Sequence, residues 1–146
     1  MKTSRKKVHL IVNADDYAYF PCVSRGILEA ANLKIITATG IIANSPELND
    51  QLEWLDFVRR LDLGVHLNLT SFQPLTDNMA DKLSQLGGGF PDVYTMSRMI
   101  LKGQISLKDV RGEWCAQIEA CRGRKLMFLN SHEHIHMLPV FFGLTK

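Results

Sequence analysis

Leu126-Met127-Phe128-Leu129-Asn130-Ser131-His132-Glu133-His134-Ile135-His136 is the stretch on which the fold turns: a short apolar run that breaks directly into histidines. Residues 126–131 have the length and composition of a buried strand. Three of the chain's five histidines stand at its end. If the strand continues, His132, His134 and His136 share one face. If the chain turns helical, His132 and His136 stack one turn apart. Either geometry suits a divalent metal, because neutral imidazole is the commonest metal ligand. The bland alternative is a solvated histidine patch, and a cluster that follows an apolar strand, not a polar tail, argues against it.

Working outward, the same pattern of strand followed by polar motif recurs. Residues 8–13 (Val-His-Leu-Ile-Val-Asn) read as a buried strand and run into Asp15-Asp16. Residues 63–69 alternate as a strand and carry His66, and residues 35–43 are β-branched and strand-like. Between them, residues 22–33 read as a helix with Val23, Ile27, Ala30 and Ala31 on one face, and Ser24 in its first turn. Ser45-Pro46 predicts a second helix start, with Leu48, Leu52, Leu55 and Val58 as its apolar face. Residues 71–92 hold Pro74, Gly87 to Gly89 and Pro91, and read as a long loop with one helical turn. Ser106-x-x-Asp109 opens another helix in the manner of a capping box, with Leu107, Val110, Trp114, Ile118 and Cys121 as its stripe. A last helix is expected from Pro139. The order β-α-β-α-β-loop-α-β-(α) predicts an α/β fold of parallel strands with helical crossovers. In such folds chemistry sits at the carboxyl ends of the strands.

Composition narrows the function classes. With 146 residues and a net charge of +2, the chain is one domain by size and projects no strong field. No nucleic-acid partner is expected. The basic cluster Lys2, Arg5, Lys6 and Lys7 reads as a solvated tail. No stretch is long and apolar enough to cross a bilayer, so no membrane partner is expected. Cys22, Cys115 and Cys121 are odd in number and form no C-x-x-C; they read as packing residues in a cytoplasmic protein.

The chemistry-bearing residues form one set. Asp15 and Asp16 can converge on one cavity if the backbone turns at the strand end, and two such carboxylates call for a cation beside them. As a lone pair they read equally well as a helix cap or turn. His66 faces the same way as Asn68 and Thr70, opposite Val65, Leu67 and Leu69. Taken alone it reads as a satisfied structural histidine. Together, carboxylates and imidazoles from three strand ends make the mixed oxygen and nitrogen set that suits Zn²⁺, Mn²⁺ or a similar ion. A carboxylate left over is a base, and water on such an ion beside a base is the apparatus of hydrolysis.

These residues resemble a known family. Val12-Asn13-Ala14-Asp15-Asp16-Tyr17 is similar to the N-A-D-D-[FY]-G signature of YdjC-like carbohydrate deacetylases. Arg25 to Ala30 looks like the helix that follows it. Gly64-Val65-His66-Leu67-Asn68-Leu69-Thr70 resembles the G-x-H-x-x-L-T segment, and Ser131 to Pro139 resembles S-H-x-H-x-H-x-x-P. The resemblance implies a distorted (β/α) barrel related to polysaccharide deacetylases, and metal-dependent removal of N-acetyl groups from amino sugars or chitooligosaccharides. By motif position it implies Asp16, His66 and His132 as ligands of a divalent ion (Mg, Zn, Mn or Co). It implies Asp15 as the base that activates water and His136 as a group near the metal that helps protonate the leaving amine. A homo-oligomer is the expected assembly.

Two departures stand out. Ala18 replaces the signature's glycine, so a positive φ there would be strained. A β/α barrel typically needs about 250 residues, so residues 1–146 are expected to be the N-terminal portion of a single such domain. The alternatives are therefore a metal-binding fragment without turnover, or another metal-dependent hydrolase on a similar barrel. The lack of a basic anion-binding cluster near the motifs counts against phosphoesters.

Overall fold

A computed structural model describes residues 7–141 and residue 144. Lys2, Arg5 and Lys6 of the basic cluster lie outside the described residues, and where a helix was expected from Pro139 the described residues Pro139–Phe141 form a short 3-10 turn. Four parallel strands form one sheet in the order β1-β2-β3-β4: β1 Asn13–Tyr17, β2 Ala38–Ile41, β3 Asp62–Leu67 and β4 Leu126–Ser131. Helix α1 (Pro21–Asn32) connects β1 to β2, and α2 (Leu48–Trp54) connects β2 to β3. Three helices, α3 (Asp77–Leu83), α4 (Val93–Leu101) and α5 (Leu107–Ala120), lie between β3 and β4. The expected parallel α/β architecture is present, and among the described residues the sheet is an unclosed partial barrel.

The core forms where the helices cover the sheet. Ile41, Val65 and Leu67 of the strands share it with Ile27 and Ala31 of α1 and Val110 and Trp114 of α5. Burying each such side chain contributes about 1.5–3 kcal/mol. Helix α5 begins with a complete capping box: Ser106 Oγ accepts from the Asp109 amide at 3.2 Å, and Asp109 Oδ2 accepts from the Ser106 amide at 2.8 Å. Asp109 also takes hydrogen bonds from Lys82 and Asn78 of α3, which fastens that helix to α5.

Several expectations need correction. Residues 8–12 are not a buried strand. Leu10 is 76% and Ile11 74% exposed, and regular pairing begins only at Asn13, opposite Ala38. Apolarity marked the run, but pairing with β2 sets where the strand starts. Among the described residues strand β4 is an edge strand, and its alternate residues Met127 and Leu129 are exposed, with no helix covering that face of the strand. The Ser45-Pro46 cap holds a turn, with Ser45 Oγ accepting from the Glu47 amide, and α2 starts at Leu48. Residues 77–83 form a full helix within the expected loop. Helix α4 was not foreseen, although Asp92 caps it by accepting from the amides of Tyr94 and Thr95. Finally, residues 132–137 neither extend the strand nor form an α-helix. Glu133 and His134 both take left-handed φ (52° and 54°), and the chain folds into a tight 3-10 turn.

Candidate metal centre

The carboxyl end of β1 contains an irregularity that aims both acids. Ala14 pairs with Thr39 and Tyr17 with Ile41, so Asp15 and Asp16 together oppose Gly40 alone. This is a β-bulge, which re-aims side chains by adding one residue to a strand. Asp16 takes φ 68° to make it, and Ala18 follows with φ 70°. The position where the signature has glycine therefore does use the left-handed region, and the Ala18 Cβ adds strain there. The Ser24 hydroxyl holds the turn by accepting from the Ala18 amide at 2.8 Å.

Gly40 has no side chain because the site crosses its backbone. A Cβ there would lie 2.9 Å from Asn130 Oδ1, 2.9 Å from Asp15 Oδ1 and 3.1 Å from the His66 Cβ. Those three residues form a relay over β2. Asn130 Nδ2 donates to Asp15 Oδ1 at 2.6 Å, and His66 Nδ1 lies 2.8 Å from Asn130 Oδ1. An amide oxygen only accepts, so the proton is on His66 Nδ1. Asn13 Nδ2 donates to Asp15 Oδ1 as well, at 2.6 Å.

That arrangement leaves the other His66 nitrogen to the site. Nε2 sits 3.3 Å from Asp16 Oδ1, and His132 Nδ1 sits 2.9 Å from the same oxygen. One donor atom from each of Asp16, His66 and His132 lies within 4.8 Å of the other two. A neutral His66 ring points a lone pair at a carboxylate oxygen. Only a proton or a cation between them makes that contact favourable. One carboxylate and two imidazoles form a donor set that fits a divalent ion.

The electrostatics follow from the same contacts. Hydrogen bonds with His132 and then His66 hold the Asp16 carboxyl well below its ordinary 3.8. Burial pushes the His66 pKa down, but hydrogen bonds with Asp16 and Asn130 and the charges of both acids outweigh it, so the net shift is above 6.5. His136 moves the other way, lowered by burial and by the nearby His134 and His66.

The structure thus brings Asp15, Asp16, His66 and His132 together. His136 stands beside them: its Nδ1 is 2.5 Å from the Ser131 hydroxyl, and it lines a small cavity of about 190 Å³ with Asn130, Leu67 and Leu129. His134 is exposed and is not among the donors that converge on the cluster. Sequence reasoning missed Asn130 and Gly40. The only available signals were a polar residue inside an apolar strand and a glycine inside a β-branched one.

Fold and site together define a class: an α/β protein whose parallel strands end in an Asp/His cluster able to hold a divalent ion. The model of the YdjC-like protein family matches residues 9–145, and the chain belongs to that family. It is 35% identical to a carbohydrate deacetylase of Halalkalibacterium halodurans over 94% of this chain and 60% of that protein. It is 31% identical to a chitooligosaccharide deacetylase of Yersinia enterocolitica over 94% of this chain and 54% of that protein. A crystal structure from Enterococcus faecalis, of a proposed cellobiose-phosphate cleavage protein, superimposes with a TM-score of 0.79 at 30% identity, covering 92% of this chain and 52% of that one. The chain therefore spans about half to three fifths of the length of these relatives. Among the described residues, no helix is long and apolar enough to cross a membrane.

Proposed function

We propose that the chain carries the metal-binding and water-activating part of a carbohydrate deacetylase acting on N-acetylated amino sugars of the chitooligosaccharide type. The observation that carries this reading is the His66 Nε2 to Asp16 Oδ1 contact at 3.3 Å, with His132 on the same oxygen. Asp16, His66 and His132 would hold the divalent ion. Such an ion, when bound, lowers the pKa of water and polarises a carbonyl oxygen.

The chain's own groups divide the remaining work. Asp15 is the second carboxylate at the bulge, kept off the shared Asp16 oxygen by Asn13 and Asn130. It takes the proton from the attacking water as the acetamide carbonyl becomes tetrahedral. His136, anchored on Ser131, is the acid that protonates the departing amine as acetate leaves.

The test is acetate release from di-N-acetylchitobiose by protein loaded in turn with Zn²⁺, Mn²⁺, Co²⁺ or Mg²⁺. Asp15→Asn is expected to keep the metal and stop turnover; full activity in that variant would remove the assigned base. A second reading, metal binding without turnover, is favoured by the solvent-facing apolar residues Leu10, Ile11, Met127 and Leu129, which leave the sheet partly uncovered. Stoichiometric metal with no acetate released under any ion would select it.

A further inference from the structure

We infer that Tyr19, Phe20 and Phe72 form a stacking platform for a pyranose ring beside the metal centre. This rests on the carbohydrate reading above and assigns the residues that would grip the sugar.

The three rings form one cluster built around Tyr19. Its ring centroid lies 4.8 Å from Phe20 in an edge-to-face arrangement, 4.9 Å from Phe72, and 5.4 Å from the His132 imidazole. The platform therefore reaches within one ring of the Asp16–His132 pair. Tyr19 is fixed from both sides: its amide donates to the Asp16 carbonyl at 3.1 Å, and its hydroxyl lies 3.2 Å from Ser71 Oγ.

Two local rules are broken to place these rings. Phe20 stands at the N-cap of α1 and supplies no side-chain cap, a position where Ser, Thr, Asp or Asn would accept from the helix amides. It is 51% exposed. Phe72 takes φ 65°, which is costly for a bulky side chain and persists only where the surroundings over-determine it. They do so here. Asn44 Nδ2 donates to the carbonyls of both Ser71 and Gln73, and Asn68 Oδ1 accepts from the Ser71 amide. Strain and a forgone cap meeting at one cluster next to the reacting groups point to a ligand. β-Linked pyranoses present flat faces of axial C–H bonds, and an aromatic ring is the side chain that matches such a face while hydroxyls stay in water.

Two substitutions remove rings while relieving the strain they impose. Phe20→Ser restores a capping hydroxyl, and Phe72→Gly suits the left-handed backbone, so neither is expected to impair folding. The probes are di-N-acetylchitobiose and cellobiose, titrated by NMR or calorimetry into Zn²⁺-loaded protein. Each variant is expected to bind both sugars about fivefold more weakly, with Zn²⁺ affinity unchanged. Wild-type sugar affinity in both variants, or no binding of either sugar by the wild type, overturns the platform. Sugar binding lost in the variants while the wild type releases no acetate upholds the platform and rejects the hydrolase reading. Acetate release untouched by either variant, with unchanged KM, rejects the platform alone.

Discussion

Two polar clusters sit at the same end of the sheet, and they are built on opposite rules. One ties the loop after β3 to α5. The buried Glu113 carboxylate accepts from the amides of Leu75 and Thr76, the Thr76 hydroxyl and Gln117 Nε2. Gln117 in turn clasps both backbone groups of Asn68, whose side chain donates to Asn44. Each of these buried groups meets a partner of matching kind. The other cluster is Asp16, His66 and His132, where one carboxylate oxygen faces two ring nitrogens. The first cluster is closed and holds a loop in place. The second is a convergent donor set that fits a divalent ion, and neighbours such as Asn130 orient it. A closed polar network rigidifies; an open one is available to a ligand.

The contrast can be broken most decisively at Glu113. Glu113→Ala orphans several buried donors and is expected to cost about 3 kcal/mol or more, read as a lowered urea midpoint. An unchanged midpoint would mean the network is not closed. His132→Ala should show the reverse profile: a loss of metal affinity of about a hundredfold or more, with metal-free stability changed by under about 1 kcal/mol. Calorimetry and denaturation on one sample check both halves. Between these extremes, Asn130→Ala removes the acceptor that fixes the His66 proton on Nδ1 and should weaken metal binding about tenfold.

A pH series sharpens the same distinction. His66 has a raised pKa, so its pairing stabilises metal-free protein fully below 6.5 and is lost as pH climbs through the raised value. Asp16 has a lowered pKa, so its contribution is present above 3.8 and lost as pH falls through the lowered value. The metal-free pair is thus strongest between those limits. Metal affinity must rise over the upper limit, because the ligand is neutral imidazole. Parallel slopes in metal-free and metal-loaded samples would contradict the assignment. The smallest effect is at Ala18. Ala18→Gly relieves φ 70° and should add about 0.5 kcal/mol, with the site unchanged.

Much of this was legible in the residues because parallel α/β folds put polar motifs after apolar runs. Asp15-Asp16, His66 and His132 were found that way, and the capping box at Ser106 placed α5. The rest depended on partners distant in the chain. Val8 to Val12 look like a strand, yet pairing with β2 begins at Asn13. Gly40 matters only because Asp15, Asn130 and His66 pass over it. The bulge that converges the two acids belongs to the β1–β2 register, which periodicity does not encode. At Glu133 and His134 the chain takes a conformation that neither helical nor strand spacing describes.

The order of assembly follows from one contact. Asp16 and His132 are 116 positions apart, and they meet only after every crossover is in place and β4 has docked on β3. Such non-local pairing is slow, since the entropy of closing the intervening chain precedes any return from contacts. Ion capture should therefore mark the end of folding rather than nucleate it, and kinetic traces of uptake in refolding protein should lag the recovery of helical signal.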